Sequence, residues 1–180
     1  QDTSSAASDV YKRQYKYTFI HPFDDYSVIA GQGSIACELE SQLQKPLDKL
    51  LIPVGGGGLI SGISFFAKKN GGIASTIIGA EPETARDATD SFYSKTHVTD
   101  YKPMTIADGL RATLGVKNFE IILKNVDEFI TATESEIIEA MKIIWSRLKV
   151  IVEPSAAVPL AVILKRQEYF KNERVGVILS

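Results

Sequence analysis

Leu50-Leu-Ile-Pro-Val-Gly-Gly-Gly-Gly-Leu-Ile-Ser-Gly62 decides how the rest of this chain is read. The apolar run Leu50 to Val54 has the length and composition of a buried strand. Four glycines, Gly55 to Gly58, interrupt it, and Leu59, Ile60, Ile63, Phe65 and Phe66 resume with helical spacing. The order is therefore strand, glycine turn, helix start. Glycines without a Cβ let the backbone turn at positive φ and bring its N–H groups close to a ligand. The unpaired first-turn N–H groups of the following helix, and the positive end of its dipole, add to an anion site suited to a phosphate. Each charge-assisted N–H bond contributes roughly 1.5–3 kcal/mol, so three or four hold a phosphate group without defining which cofactor carries it. A tight turn needs fewer glycines than four in succession.

Working outward, Ser75 to Ala80 forms a second apolar run that Glu81-Pro82 closes, after a glycine stop at Asn70-Gly71-Gly72. Strand, helix and strand at this spacing make a βαβ unit and hence a parallel sheet, an α/β fold. Ligands of such sheets bind beyond the carboxyl ends of the strands, where the glycine loop and Glu81 both lie. Gly56-x-Gly58-x-x-x-Gly62 approximates a dinucleotide fingerprint, and Glu81 stands where a ribose-binding acid would, so a nucleotide-binding oxidoreductase is a competing reading. The strict fingerprint fails in every register, and no Lys-Ser or Lys-Thr follows the glycines as a Walker loop requires. Glu81, Glu83 and Asp87 at short spacing read either as a solvated acidic loop or as oxygen ligands for a hard cation.

The remaining elements are plainer. Residues 1–14 lack periodicity and an apolar centre, so they read as a non-native extension rather than a secretory signal. Tyr17 to Ile20 reads as a short strand and His21-Pro22-Phe23-Asp24-Asp25 as a loop, with His21 bonding its neighbours or serving as a base. Ser27 is a candidate cap for a helix over Val28 to Leu43. In that helix Gly31 and Gly33 imply close approach of another backbone or a ligand. Cys37, the single cysteine, is expected as a buried thiol. Thr89 to Met104, with an idle His97, reads as a surface excursion. Ile106 to Arg111 is a turn whose Asp108 and Arg111 pair with each other or serve a ligand. Val126 to Thr131 reads as a strand. Thr133-x-x-Glu136 is a capping box opening a helix with Ile137, Ile138, Met141, Ile144, Trp145 and Leu148 in the core. Ser155 is placed as the cap of Ala156 to Lys165, with Pro159 near the first turn, and Arg174 to Leu179 as a last buried strand.

The chain has 180 residues, 44% hydrophobic and 23% charged, with 20 basic against 22 acidic side chains. A net charge of −2 without a basic stripe argues against nucleic acid and anionic membranes as partners. No apolar run is long enough to span a bilayer. One cysteine permits neither an internal disulfide nor a cysteine-based zinc cage, which fits a reducing cytoplasm.

Six motifs occur in order: Ala30-Gly-Gln-Gly-Ser34, Pro53-Val-Gly-Gly-Gly-Gly-Leu59, Gly79-Ala-Glu-Pro82, Ile106-Ala-Asp-Gly-Leu-Arg111, Glu153-Pro-Ser155 and Val177-Ile-Leu-Ser180. Together they resemble the serine racemase and serine/threonine dehydratase family, pyridoxal-phosphate enzymes of the tryptophan-synthase-β-like fold, a three-layer αβα arrangement. The resemblance covers Tyr15 to Ser180. It implies that residues 15–26 end a small domain and that 27–180 are the large cofactor-binding domain, cut short at its C-terminus. It implies that Gly55, Gly56, Gly57, Gly58 and Leu59 bind the cofactor phosphate and that Ser180 meets the pyridine nitrogen. It further implies a divalent cation, Mg²⁺ or else Ca²⁺ or Mn²⁺, on Glu81, the Ala85 carbonyl and Asp87. The family's Schiff-base lysine motif and its opposite-face serine do not occur here, so no catalytic residue is assigned to this chain. For a complete homodimer the resemblance implies L-serine, L-threonine or 3-hydroxyaspartate as substrate. Reaction would run through an external aldimine and α-proton abstraction to elimination or racemisation. A non-catalytic module of the same fold is the remaining alternative.

Overall fold

The computed structural model describes residues 18–69 and 72–180. The expected extension over residues 1–14, Tyr17, and the Asn70-Gly71 part of the glycine stop lie outside the described residues. Four strands, β1 (Leu47–Pro53), β2 (Ala74–Pro82), β3 (Glu128–Ala132) and β4 (Val175–Val177), form one sheet in the order β3-β2-β1-β4. Every pairing is parallel, with Leu51 opposite Ile78 and Val177, and Gly79 opposite Phe129. Parallel neighbours need crossover helices, and these cover both faces of the sheet. Leu50, Ile52 and Ile77 point to one face, beneath α2 (Ser34–Gln42), α3 (Gly58–Lys69) and α5 (Val116–Asn125). Leu51, Ile78 and Ile130 point to the other, beneath α6 (Glu134–Ile143) and α7 (Pro154–Lys165). This alternation divides the central strands between two cores and yields the three layers.

The helix expected over Val28 to Leu43 is two: α1 (Tyr26–Gln32) and α2, hinged at Gly33. Asp25, not Ser27, is the cap, its carboxylate accepting from the Ser27 N–H. A Cβ on Gly33 would come within 3.2 Å of the Gly62 carbonyl, and one on Gly62 would collide with the Ile29 carbonyl. Backbone contact with α3 therefore accounts for Gly33, whereas Gly31 faces open space. The break changes the helical phase, so Cys37 is exposed rather than buried.

The expected Tyr17–Ile20 strand is not formed over its described part, Thr18 to Ile20. Part of the expected excursion after Thr89 is α4 (Asp87–Ser94), which buries Ser91 and Phe92. The capping box forms as expected, with Thr133 and Glu136 exchanging bonds across the start of α6. That helix then widens into a π-turn over Ile144–Leu148. One extra residue in the turn rotates the apolar seam, so Ile137, Ala140 and Ile144 are buried while Trp145 is 45% and Leu148 59% exposed. Trp145 instead donates its Nε1–H to the Val152 carbonyl.

Helix α7 starts at Pro154, with Glu153 at the cap position, so Ser155 lies inside the first turn and Pro159 beyond it. β4 is shorter than expected and only half-buried, because it is an edge strand paired with β1 alone.

Candidate functional site

Parallel pairing brings the carboxyl ends of all four strands to one rim of the sheet, and the sequence-nominated residues collect there. β1 delivers Val54 and the glycine loop to the start of α3, and β4 delivers Ser180. Gly55, Gly56, Gly57, Gly58, Leu59 and Ser180 line one cavity of about 250 Å³, together with Phe23, Gly109, Glu153 and Ser155. Backbone contact shapes its wall. A Cβ on Gly55 would stand 3.0 Å from the Leu110 Cα, and one on Gly109 would stand 2.8 Å from the Ser155 Oγ. The Gly109 N–H donates to that same Oγ, 3.2 Å away. Ser155, a helix-cap candidate by residue type, instead uses its hydroxyl to secure the turn carrying the Ile106 to Arg111 motif. Arg111 donates from Nε and Nη2 to the Thr105 carbonyl, and among the described residues it forms no ion pair with Asp108.

The glycine loop carries the chemistry in its backbone. Gly57 has φ of 87°, the left-handed region in which an L side chain is strained. The Gly56 carbonyl accepts from Gly115 and the Gly57 carbonyl from Ser61. Among the described residues, no backbone hydrogen bond of this loop starts from an N–H of Gly55 to Gly58. All four residues are buried, so these donors need a partner supplied by a ligand or solvent. Free N–H groups, glycines that let a ligand approach, and the N-terminus of the twelve-residue α3 fit a phosphate. Ser180 lines the same cavity and brings a neutral hydroxyl as its side-chain group. Glu153 is the one ionisable side chain among the described lining residues, and sequence reasoning gave it no role. Phe23 was missed as well: a Cβ on Gly56 would collide with its ring.

The acidic cluster at the end of β2 is a separate corner. Glu81 is fully buried. Its Oε1 accepts from the Ala88 N–H, and its Oε2 from the Thr89 N–H at 2.7 Å and the Thr89 hydroxyl at 2.6 Å. It thereby satisfies the first-turn donors of α4, where the local cap position, Arg86, offers no side-chain bond. Asp87 accepts the Leu114 N–H at 2.8 Å. Burial pushes the Glu81 carboxyl well above its ordinary range. The Thr89 hydroxyl opposes this and the neighbouring Asp87 charge adds to it. Burial likewise raises Asp87, against the Leu114 N–H and the nearby His97.

His97 is neither exposed nor idle. Its Nε2 lies 2.7 Å from the Leu114 carbonyl, to which it must donate, and its ring stacks on Phe119. His21 is a loop residue whose Nδ1 accepts from the Asp24 N–H at 2.9 Å. Among the described residues no three His, Cys, Asp or Glu side chains gather to hold a metal; the expected set has two carboxylates and a carbonyl.

A parallel αβα sheet with an anion cradle at its carboxyl rim defines a cofactor-binding α/β enzyme domain. The profile of the pyridoxal-phosphate dependent enzyme family matches residues 1–180, and the chain belongs to that family. It is 45% identical over 166 residues to a β-hydroxyaspartate dehydratase of Paracoccus denitrificans, covering 90% of this chain and 51% of the relative. It is 46% identical over 173 residues to a serine racemase of Dictyostelium discoideum, covering 93% and 52%. Among solved structures it superposes on a T.th. threonine deaminase with a TM-score of 0.91 at 34% identity, covering 98% of this chain and 58% of that one. The chain spans about half the length of the curated relatives it matches. The nucleotide-binding reading is thereby set aside. Glu81 in any case lies buried against α4, where no ribose reaches it.

Proposed function

We propose that the full-length protein is a pyridoxal-phosphate-dependent serine/threonine dehydratase, a serine racemase, or both. Its substrates would be small hydroxy amino acids: L-serine, L-threonine or 3-hydroxyaspartate. The observation that carries this reading is the meeting of the glycine loop's free N–H groups and Ser180 on one cavity. Gly55 to Gly58 and Leu59 would hold the phosphate, orienting the ring so that its nitrogen meets Ser180. When bound, the cofactor supplies an electron sink for the carbanion left as the α-proton departs. A hydroxyl partner at Ser180 leaves the ring nitrogen unprotonated, which tempers that sink. Residues 27–180 would form the large domain, with 15–26 leading into it, and the whole protein would work as a cytoplasmic homodimer.

A divalent cation, Mg²⁺ or else Ca²⁺ or Mn²⁺, fits the Glu81 corner, held by Glu81, Asp87 and the Ala85 carbonyl. Burial disfavours the ionised form of both adjacent carboxyls, and a bound cation would restore it by offsetting their charge. Carboxylate lone pairs not engaged by α4 or Leu114 are left to bind it.

The test is to express the full-length protein and record its absorbance with pyridoxal phosphate, then add L-serine and assay pyruvate and D-serine. A visible band that shifts with serine, with either product formed, is the expected result. A protein that stays colourless with the cofactor overturns the assignment. Melting in Mg²⁺ against chelator tests the metal: an upward shift is expected, and coincident curves remove it.

A further inference from the structure

Behind the glycine loop lies a buried side chain outside the family motifs. Asn118, the third residue of α5, is fully buried beneath the glycine loop. Its Nδ2 donates to the Gly56 carbonyl at 2.8 Å and to the Phe23 carbonyl at 2.9 Å. Its Oδ1 is the one buried side-chain polar atom without a partner among the described residues. The reverse amide orientation would set Oδ1 against two carbonyls, so the bonds fix the assignment.

We infer that Asn118 is a positioning residue that locks the Gly56–Gly57 peptide with its N–H toward the cofactor phosphate. The peptide unit is planar and trans, so its C=O and N–H point in opposite directions. The Gly56 carbonyl is held toward α5 by two donors, the Gly115 N–H at 3.0 Å and the Asn118 amide. The Gly57 N–H on the same unit is therefore turned away from α5, and Gly57 lines the cavity. Glycine on both sides of this peptide makes it easy to flip when nothing holds it. A flipped unit would present a carbonyl to an anion and lose one donor from the cradle. Through the Phe23 carbonyl the same amide holds the loop whose ring covers Gly56. Lys117 reinforces that loop, its N–H donating to the Asp24 carboxylate and its Nζ to the Asp24 carbonyl, both at 2.9 Å.

This inference rests on the proposed cofactor and is tested by binding rather than turnover. In the full-length protein, dissociation constants for pyridoxal 5'-phosphate and for pyridoxal, which lacks the phosphate, are measured by cofactor fluorescence for wild type and Asn118→Leu. The expected result is a loss of roughly tenfold or more for pyridoxal phosphate with pyridoxal changed less than about twofold, the size of one charge-assisted bond. Equal losses for both ligands, or no loss, overturn the positioning role. Should Asn118→Leu fail to fold by circular dichroism, Asn118→Ala, which removes both donors without a branched apolar side chain, is judged by the same phosphate-selective criterion. Wild type that binds neither ligand overturns the cofactor reading itself, an outcome distinct from a failure of Asn118.

Discussion

The glycine loop after β1 and the acidic corner after β2 lie at the ends of adjacent strands, yet they are built from opposite materials. The loop uses backbone alone; its four residues have no side chains, and neighbours occupy the space where a Cβ would go. The corner uses buried carboxyls: Glu81 satisfies first-turn amides of α4 from the preceding strand, and Asp87, at the start of α4, accepts from the Leu114 amide. A backbone site tolerates no addition, because its geometry comes from steric exclusion. A side-chain site tolerates no deletion, because the N–H groups it serves would be left buried and unpaired. The two also differ in charge. Free N–H groups suit an anion and ionised carboxyls a cation, so under the proposed function cofactor and metal would occupy separate places on one rim.

Adding one methyl to the loop should produce the largest effect. In Gly57→Ala the new Cβ would lie 2.6 Å from Leu114 Cδ1 and 2.9 Å from the Asn118 Cβ, at a φ of 87°. Left-handed strain of about 1–2 kcal/mol and overpacking of about 1–3 kcal/mol give an expected loss near 2–5 kcal/mol in denaturant unfolding. A loss below about 1 kcal/mol would mean that the loop yields and is not sterically defined. Deletion at the corner comes next. Glu81→Ala strands the Ala88 and Thr89 N–H groups at about 1–3 kcal/mol for each that finds no water, partly offset by removal of a buried charge. Glu81→Gln, which retains one acceptor, should recover part of that loss. Equal unfolding energies for wild type and Glu81→Ala would show that the carboxylate does not cap α4.

The smallest effect is a pH dependence that only the corner has. Glu134 accepts from the Thr84 hydroxyl and the Ile106 N–H, tying the corner to α6. Partial burial pushes its carboxyl up, but the Ile106 and Thr84 bonds and the Arg111 charge outweigh it and leave it below 4.5. A depressed folded value means a stabilisation present above the unfolded value of about 4.5 and lost as pH falls through the folded one. Wild type should therefore exceed Glu134→Gln in stability at neutral pH, with the gap closing below about pH 4.5. A gap that stays constant to pH 3 would show that the ionised form is not favoured. The glycine loop, which has no titratable group, should contribute no such slope.

Much of the chain was legible without coordinates because local chemistry governed it. Four glycines between an apolar run and a helical pattern admit few backbones, and the Thr133–Glu136 box is complete within four residues. The misread residues depended on distant partners. Cys37 is exposed because Gly33 breaks the helix against Gly62, and Trp145 because a π-turn rotates the seam of α6. His97 reads as idle in its own segment, yet Leu114 and Phe119 engage it from another. Ser155 suits a helix cap by residue type, but its partner is Gly109, 46 residues away.

By itself the sequence determined the parallel βαβ core, the glycine loop and the family, since these follow from patterning and from residues that only one backbone accepts. Tertiary structure alone decided which carbonyls pin the loop and which amides the buried acids serve. Asn118 reaches Gly56 across 62 positions and Phe23 across 95. Bonds of that range depend on how strands and helices stack, because hydrogen bonding is specific to distance and angle whereas hydrophobic patterning only selects a face.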